Sequence, residues 1–242
     1  MSIDLSQRVC VITGADRGIG RALVRGFARR GALAVATDIE PPTIPEAAAS
    51  LAYDVTEPDR AKVVMDEIGS RFGHIDAFVA NAGVYPRAPW NQLTPTQWRR
   101  VLSVNLDGAW FGAQAAARHM VLRGYGKIVL VTSTQVQTGF AECAHYNAAK
   151  AGIIGLTRAL ARALGEHRIR VNAVMPGAVR TETELHMLPD QDQVAKTLDA
   201  AQAIKGRIEP EMIEPVFAYL CSEESDVMTG QVLYADHGWH CY

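Results

Sequence analysis

Along nearly the whole chain, short continuous apolar runs alternate with segments whose apolar residues recur at helical spacing. The runs cover residues 9–13, 33–37, 51–53, 75–80, 127–132, 169–174 and 232–234. Apolar runs this short and this continuous suit strands buried on both faces, the condition of a parallel sheet. Between them, Ala22, Leu23, Phe27 and Ala28 trace a helix closed by Gly31. Ala61, Val64, Met65, Ile68 and Phe72 trace a second over residues 58–72. Thr94 is placed to cap, and Pro95 to open, a long helix running past Val104 and Phe111 to about Arg123. Further helices are expected over 146–164, around 189–203 and over 210–220. Strand–helix alternation with short connections predicts a doubly wound α/β domain, its sheet covered by helices on both faces. No repeat or linker interrupts it, and the Pro-rich stretch from Glu40 to Pro45 is too short to divide domains.

Composition narrows the partners. A chain of 242 residues can bury roughly 70–75% of the surface it exposes when unfolded, so its core needs no disulfide or metal. With 48% hydrophobic residues it is not a disordered chain, and a net charge of -2 offers no footprint for nucleic acid. No apolar run reaches the 18 or so residues of a membrane span. The stretch from Met1 to Arg8, with Asp4 and Arg8, lacks a secretory apolar region. Cys10, Cys143, Cys221 and Cys241 form no Cys-x-x-Cys pair, and no metal-ligand set is evident. Free thiols in a reducing cytoplasm are the expectation.

The sharpest local signal lies where the first strand meets the first helix, in Thr13-Gly14-Ala15-Asp16-Arg17-Gly18-Ile19-Gly20. Glycines there let the backbone turn tightly and approach a pyrophosphate, and the helix N-terminus offers free N–H groups. Asp38 ends the second strand, eighteen residues after Gly20. A carboxylate at that place can accept hydrogen bonds from both ribose hydroxyls of NAD and would repel the 2′-phosphate of NADP. Arg17 would attract that phosphate, so NAD is expected and NADP stays the alternative. The fold expected is a single-domain Rossmann fold over residues 1–242, with a mostly seven-stranded parallel sheet.

Tyr146 and Lys150 stand at i and i+4, on one helix face. A nearby ammonium favours phenolate, lowering the tyrosine pKa from about 10 and fitting Tyr146 for proton exchange with a substrate oxygen. Ser133 closes the strand over 127–132, at the end of the sheet where ligands bind, and could hydrogen-bond the same oxygen.

With these motifs in this order, the whole chain resembles the short-chain dehydrogenase/reductase family. The resemblance rests on Thr13 to Gly20, Asp54-Val55, Asn81-Ala82-Gly83, Asn105, Ser133, Tyr146 to Lys150, and Pro176-Gly177 with Thr181. It implies that Tyr146 is the general acid/base and that Ser133 orients the carbonyl or hydroxyl. Lys150 would lower the tyrosine pKa and bind the nicotinamide ribose, and Asn105 would hold a water of a proton relay. Asn81, Ala82 and Gly83 would steady the sheet centre beside the adenosine ribose. Asp54 and Val55 would contact the adenine and Ile19 the pyrophosphate. Pro176 and Gly177 would shape the loop at the nicotinamide, with Val179 and Thr181 on its carboxamide.

The resemblance also places the substrate wall among Tyr85, Trp90, Gln135, Gln137, Cys143, His145, Ala178, His186 and Met187, with Gln135, Cys143 and His186 as the leading substrate contacts. A polar stretch from Glu182 to Leu198, within about 180–205, reads as a lid. The implied activity is hydride transfer between NAD(H) and a small secondary alcohol or ketone. Alternatives are a sugar or polyol dehydrogenase, an NADPH-dependent 3-oxoacyl-thioester reductase, and a nucleotide-sensing protein without catalysis. The aromatic terminal segment, residues 236–242, suggests burial against another subunit, and a homotetramer is implied, with a dimer as alternative.

Overall fold

A computed structural model describes residues 3–240. Seven parallel strands form one sheet: β1 (Val9–Thr13), β2 (Leu33–Asp38), β3 (Ala49–Ala52), β4 (Ala77–Ala80), β5 (Gly126–Val131), β6 (Ile169–Pro176) and β7 (Val232–Ala235). Their order across the sheet is β3-β2-β1-β4-β5-β6-β7. Strand order reverses between β1 and β4, and at such a switch point the strand C-terminal ends diverge into a crevice. Among the described residues nine α-helices join the strands: α1 (Gly18–Arg29), α2 (Pro58–Phe72), α3 (Pro95–Leu102), α4 (Gly108–Arg123), α5 (Gln135–Thr138), α6 (Ala144–Leu164), α7 (Glu182–Met187), α8 (Gln191–Ala201) and α9 (Pro210–Cys221).

The core divides as a two-sided sheet requires. Val9 and Val11 of β1 pack with Val64 and Met65 of α2, Met120 of α4 and Ile153 of α6. The alternate residues, Cys10 and Ile12, pack with Leu23 and Phe27 of α1 and Phe217 of α9. Each fully buried large apolar side chain contributes about 1.5–3 kcal/mol relative to exposure. The same alternation sends Ile128 and Leu130 of β5 to the first layer and Val129 and Val131 to the second.

Charge is buried at the other end of the sheet. Asp76, just before β4, accepts from Val9 N at 2.8 Å and pairs with Arg123 at 2.6 Å. Lys127 at the start of β5 is fully buried and meets Asp226 at 2.7 Å. Arg170 at the start of β6 reaches Asp226 at 3.3 Å, and Tyr125 donates to it at 3.0 Å. These networks tie strand beginnings together and leave strand endings to loops.

Departures from the sequence expectations are local. The helix expected from Pro95 to about Arg123 is broken by a π-helical turn, Ser103–Asp107, where Gly108 N donates to Ser103 O five residues back. Thr94 caps α3 as expected: it accepts from Gln97 N at 3.2 Å, and its own N–H donates to Gln97 Oε1 at 2.9 Å. The helix expected around 189–203 is α8, and the short α5 and α7 were not anticipated. Strand β3 comes two residues earlier than expected, and β6 continues to Pro176. Among the described residues no helix is long and apolar enough to cross a membrane. Cys10, Cys143 and Cys221 are free and buried. Cys241 and Tyr242 lie outside the described residues.

Candidate active site

The glycine turn and Asn81 sit side by side at the switch point. Gly14 has φ +65°, and a Cβ there would lie 2.7 Å from Ala82 Cα, so conformation and space both demand glycine. Asn81 Nδ2 donates to the carbonyls of Thr13 and Gly14, each at 3.0 Å. Thr13 Oγ1 accepts from the amides of Asn81 and Ala82 at 3.1 Å. This clasp holds the turn against the loop that follows β4. Helix α1 begins at Gly18 with no acidic residue in its first turn and no side-chain cap from Arg17, which is exposed. Glu182 of α7 supplies an anion instead: its Oε2 accepts from Gly18 N at 3.0 Å.

Asp38 is half-buried at the end of β2. Its Oδ2 accepts from Asp16 N at 3.0 Å and its Oδ1 from Ile39 N at 2.8 Å, so two amides fix the carboxylate beside the glycine turn. Asp54 Oδ1 accepts from Thr56 N at 2.9 Å and Thr56 Oγ1 at 2.8 Å. Val55 is buried against Gly108. On the far side, Pro176 O accepts from Thr134 N and Thr134 Oγ1, both at 3.2 Å. A Cβ on Gly177 would lie 2.8 Å from Asp236 Cα. Val179 bridges to Ile208, and Thr181 caps α7 by accepting from Glu184 N at 3.2 Å.

Ser133, Tyr146, Lys150 and Asn105 converge beyond the C-terminal end of β5. Ser133 lies beside Tyr146 and pulls its pKa down. Lys150 is buried and donates to Val131 O at 2.8 Å, with Nζ 5.8 Å from the Tyr146 ring centroid. Asn105, inside the π-helical turn, is buried and donates to Val84 O at 2.9 Å and Val101 O at 3.0 Å. Its Oδ1 has no partner. A Cβ on Gly83 would lie 2.7 Å from that oxygen and 3.7 Å from Lys150 Nζ, so both face the same small space.

Tyr146 is pushed up to about 12 by the surrounding protein, with Ser133 pulling the other way. The Lys150 ammonium donates to the Val131 carbonyl at 2.8 Å. Burial brings Lys150 itself down to about 8.

The wall beside Tyr146 is aromatic and polar. Tyr85, from the loop after β4, meets the Tyr146 ring edge-on with centroids 4.7 Å apart. Gln135 donates to Tyr85 Oη, and Cys143, fully buried, lies beside the same tyrosine. Gln135 Oε1 is buried without a donor. The Arg87 guanidinium lies over the Tyr85 ring at 5.9 Å and the Phe140 ring at 4.8 Å.

Arg87 and Phe140 are absent from the sequence reading of this wall, whereas Tyr85, Gln135 and Cys143 are present. Gln137 instead points to Tyr234 Oη at 2.8 Å, and His186 is exposed on α7. Trp90 is 82% exposed, away from this cluster. His145 is buried with both ring nitrogens unpartnered, and burial pushes its pKa down. No group of three or more His, Cys, Asp or Glu among the described residues could hold a metal ion.

Known proteins are similar to this chain over nearly all of its length. A family model described as "Enoyl-(Acyl carrier protein) reductase" matches residues 14–240. Cis-4-hydroxycyclohexanecarboxylate dehydrogenase of Sinomonas cyclohexanicum is 36% identical, over 97% of each chain. A short-chain type dehydrogenase/reductase from Mycobacterium marinum superposes with a TM-score of 0.90 at 29% identity, covering 99% of this chain and 98% of that one. A structure from Beutenbergia cavernae, described as an NAD(P) dependent gluconate 5-dehydrogenase with bound NADP at low occupancy, gives a TM-score of 0.89. It is 31% identical, with 99% of each chain covered.

Proposed function

The chain belongs to the short-chain dehydrogenase/reductase family and is an oxidoreductase of that type, and we propose that it moves a hydride between NAD(H) and a small secondary alcohol or ketone. The observation that carries this reading is the convergence of Ser133, Tyr146 and Lys150 with the unpartnered Asn105 oxygen, beside a glycine turn built for a pyrophosphate.

The residues present fit a dinucleotide. Gly14, Gly18, Ile19 and Gly20 offer backbone at the α1 N-terminus, and the fixed Asp38 carboxylate offers acceptors for the adenosine ribose. Asp54, Val55 and Asn81-Ala82-Gly83 border the adenosine side. Lys150, Pro176, Gly177, Val179 and Thr181 border the nicotinamide side. When bound, the nicotinamide supplies the hydride acceptor or donor.

Proton transfer falls to the protein. In oxidation Tyr146 Oη accepts the proton of the substrate hydroxyl as the carbinol carbon loses hydride, and in reduction it returns the proton. Ser133 Oγ hydrogen-bonds the same substrate oxygen and holds it against the phenol. Asn105 Oδ1 and Lys150 Nζ together make the acceptor and donor that a bridging water needs. Such a water would carry the proton between Lys150 and solvent.

Asp38 favours NAD and disfavours the NADPH-dependent thioester reductase reading. A sugar or polyol dehydrogenase is the second reading, favoured by the unpartnered Gln135 Oε1. Assembly as a homotetramer, with a dimer as the alternative, is part of the same proposal and is read by light scattering.

The test is an initial-rate panel of alcohols, polyols, hydroxyacyl thioesters and aromatic ketones with both coenzymes, run on wild type and Tyr146→Phe. Turnover should vanish in Tyr146→Phe while NADH binding survives. More than a tenth of wild-type activity in that variant would sink the mechanism.

A further inference from the structure

Arg87 is a cation without an anion. Its guanidinium is flanked by the rings of Tyr85 and Phe140, and its Nε is buried with no acceptor. None of the ion pairs among the described residues involves it. The nearby loop carboxylate, Glu142, is exposed and engages only through its backbone oxygen, which accepts from Ala88 N at 2.9 Å. Arginine keeps its charge at any working pH, and a partly desolvated guanidinium with an idle N–H is unfavourable until an anion arrives. Two rings fix its plane, leaving its edge for a planar, bidentate acceptor.

The position of this cation bears on the substrate. The Tyr85 ring neighbours both the Arg87 guanidinium, 5.9 Å from its centroid, and the Tyr146 ring, with centroids 4.7 Å apart. Gln135, bonded to the same Tyr85, adds a buried acceptor, Oε1, with no donor. Resting on the dehydrogenase reading, we propose that the substrate is a hydroxycarboxylate, or the corresponding oxo acid, whose carboxylate binds Arg87. Its reacting carbinol lies at Tyr146, and a further hydroxyl, where present, donates to Gln135 Oε1. The carboxylate passes through unchanged. Only the distant carbinol is oxidised, its hydride going to NAD+ and its proton to Tyr146. Because Tyr85 neighbours both Tyr146 and Arg87, the proposed substrate carries acid and carbinol several bonds apart. A 2-hydroxy acid is too short to span them.

Paired substrates test this. Cis-4-hydroxycyclohexanecarboxylate is compared with its carboxamide, and D-gluconate with D-glucitol, on wild type, Arg87→Met and Arg87→Lys. NADH titration verifies that each variant is folded. Wild type should favour the acid member by about ten- to a hundredfold in kcat/KM, chiefly through KM, as a charge-assisted hydrogen-bond pair allows. The gap should close to within threefold in Arg87→Met and be intermediate in Arg87→Lys. Equal kcat/KM within each pair for wild type, or a gap that survives Arg87→Met, overturns the proposal. So does absence of turnover across both pairs. The dehydrogenase reading is then judged separately, on the neutral alcohols and ketones of the wider panel.

Discussion

Replacing Asp38 with Asn should turn the coenzyme preference. The Asp38 carboxylate cannot swing away from an incoming 2′-phosphate, because Asp16 N and Ile39 N each hold one of its oxygens. Two unit charges 4 Å apart repel by about 1 kcal/mol in water and about 4 kcal/mol at an effective dielectric constant of 20. Asp38 is half-buried at the sheet edge, so a penalty on NADP of roughly 1.5–3 kcal/mol follows, or about ten- to a hundredfold. Asn removes the charge, keeps a similar shape and can still accept one of the two amides. The assay is kcat/KM for NAD+ and NADP+ with one alcohol, at low and high salt. Wild type should prefer NAD+, Asp38→Asn should lose most of that preference, and salt should narrow the gap. A wild-type enzyme that works tenfold better with NADP+ would refute the reasoning. An unchanged ratio in Asp38→Asn would refute it equally, and Arg17 would then be the deciding charge.

Two further outcomes are expected. Glu182→Gln should tighten NADH binding about two- to fivefold, because it removes an anion from the helix end meant for a pyrophosphate. Fluorescence titration reads this, and weaker binding would show that Glu182 helps to seat the coenzyme. Lys150→Met should abolish turnover yet gain stability below pH 8. Folding lowers the lysine pKa from 10.5 to about 8, so between those values the unfolded chain holds a proton that the folded chain has lost. The lysine's own contribution to wild-type stability therefore rises with pH through that window, by roughly 3 kcal/mol. The lost bond to Val131 O offsets about 1–2 kcal/mol of the gain. Urea melts at pH 7 and pH 10 should show the variant's advantage shrinking as pH rises, and a constant difference would contradict the argument.

Sheet and glycine turn were legible in the sequence because both are written locally. The β1 run, the glycines after it and the acid at the end of β2 each carry their reason within a few residues. Thr94 and Gln97 spell out a helix start in the same way. The π-helical turn around Asn105 escaped because apolar spacing continues on either side, and one widened turn leaves no mark in that pattern. Spacing correctly set Tyr146 and Lys150 on one face, yet it could not show that Val131 O would claim the ammonium. Arg87 was hidden for a different reason. Phe140, its nearer aromatic neighbour, lies 53 residues further along, so their meeting exists only in three dimensions. An unpaired arginine in the loop after Asn81-Ala82-Gly83 was the one signal available.

The stretch from Asn81 to Arg87 behaves as a strut. Its first residue grips the glycine turn, its fourth supplies the carbonyl that holds Asn105, its fifth braces Tyr146, and its seventh carries the unpaired cation. Seven consecutive residues thus run from the glycine turn past Asn105 and Tyr146 to Arg87. A shift of the glycine turn on coenzyme binding should then reach Arg87 through this stretch. Coenzyme and substrate should consequently bind with mutual enhancement, and by linkage each should tighten the other by the same factor.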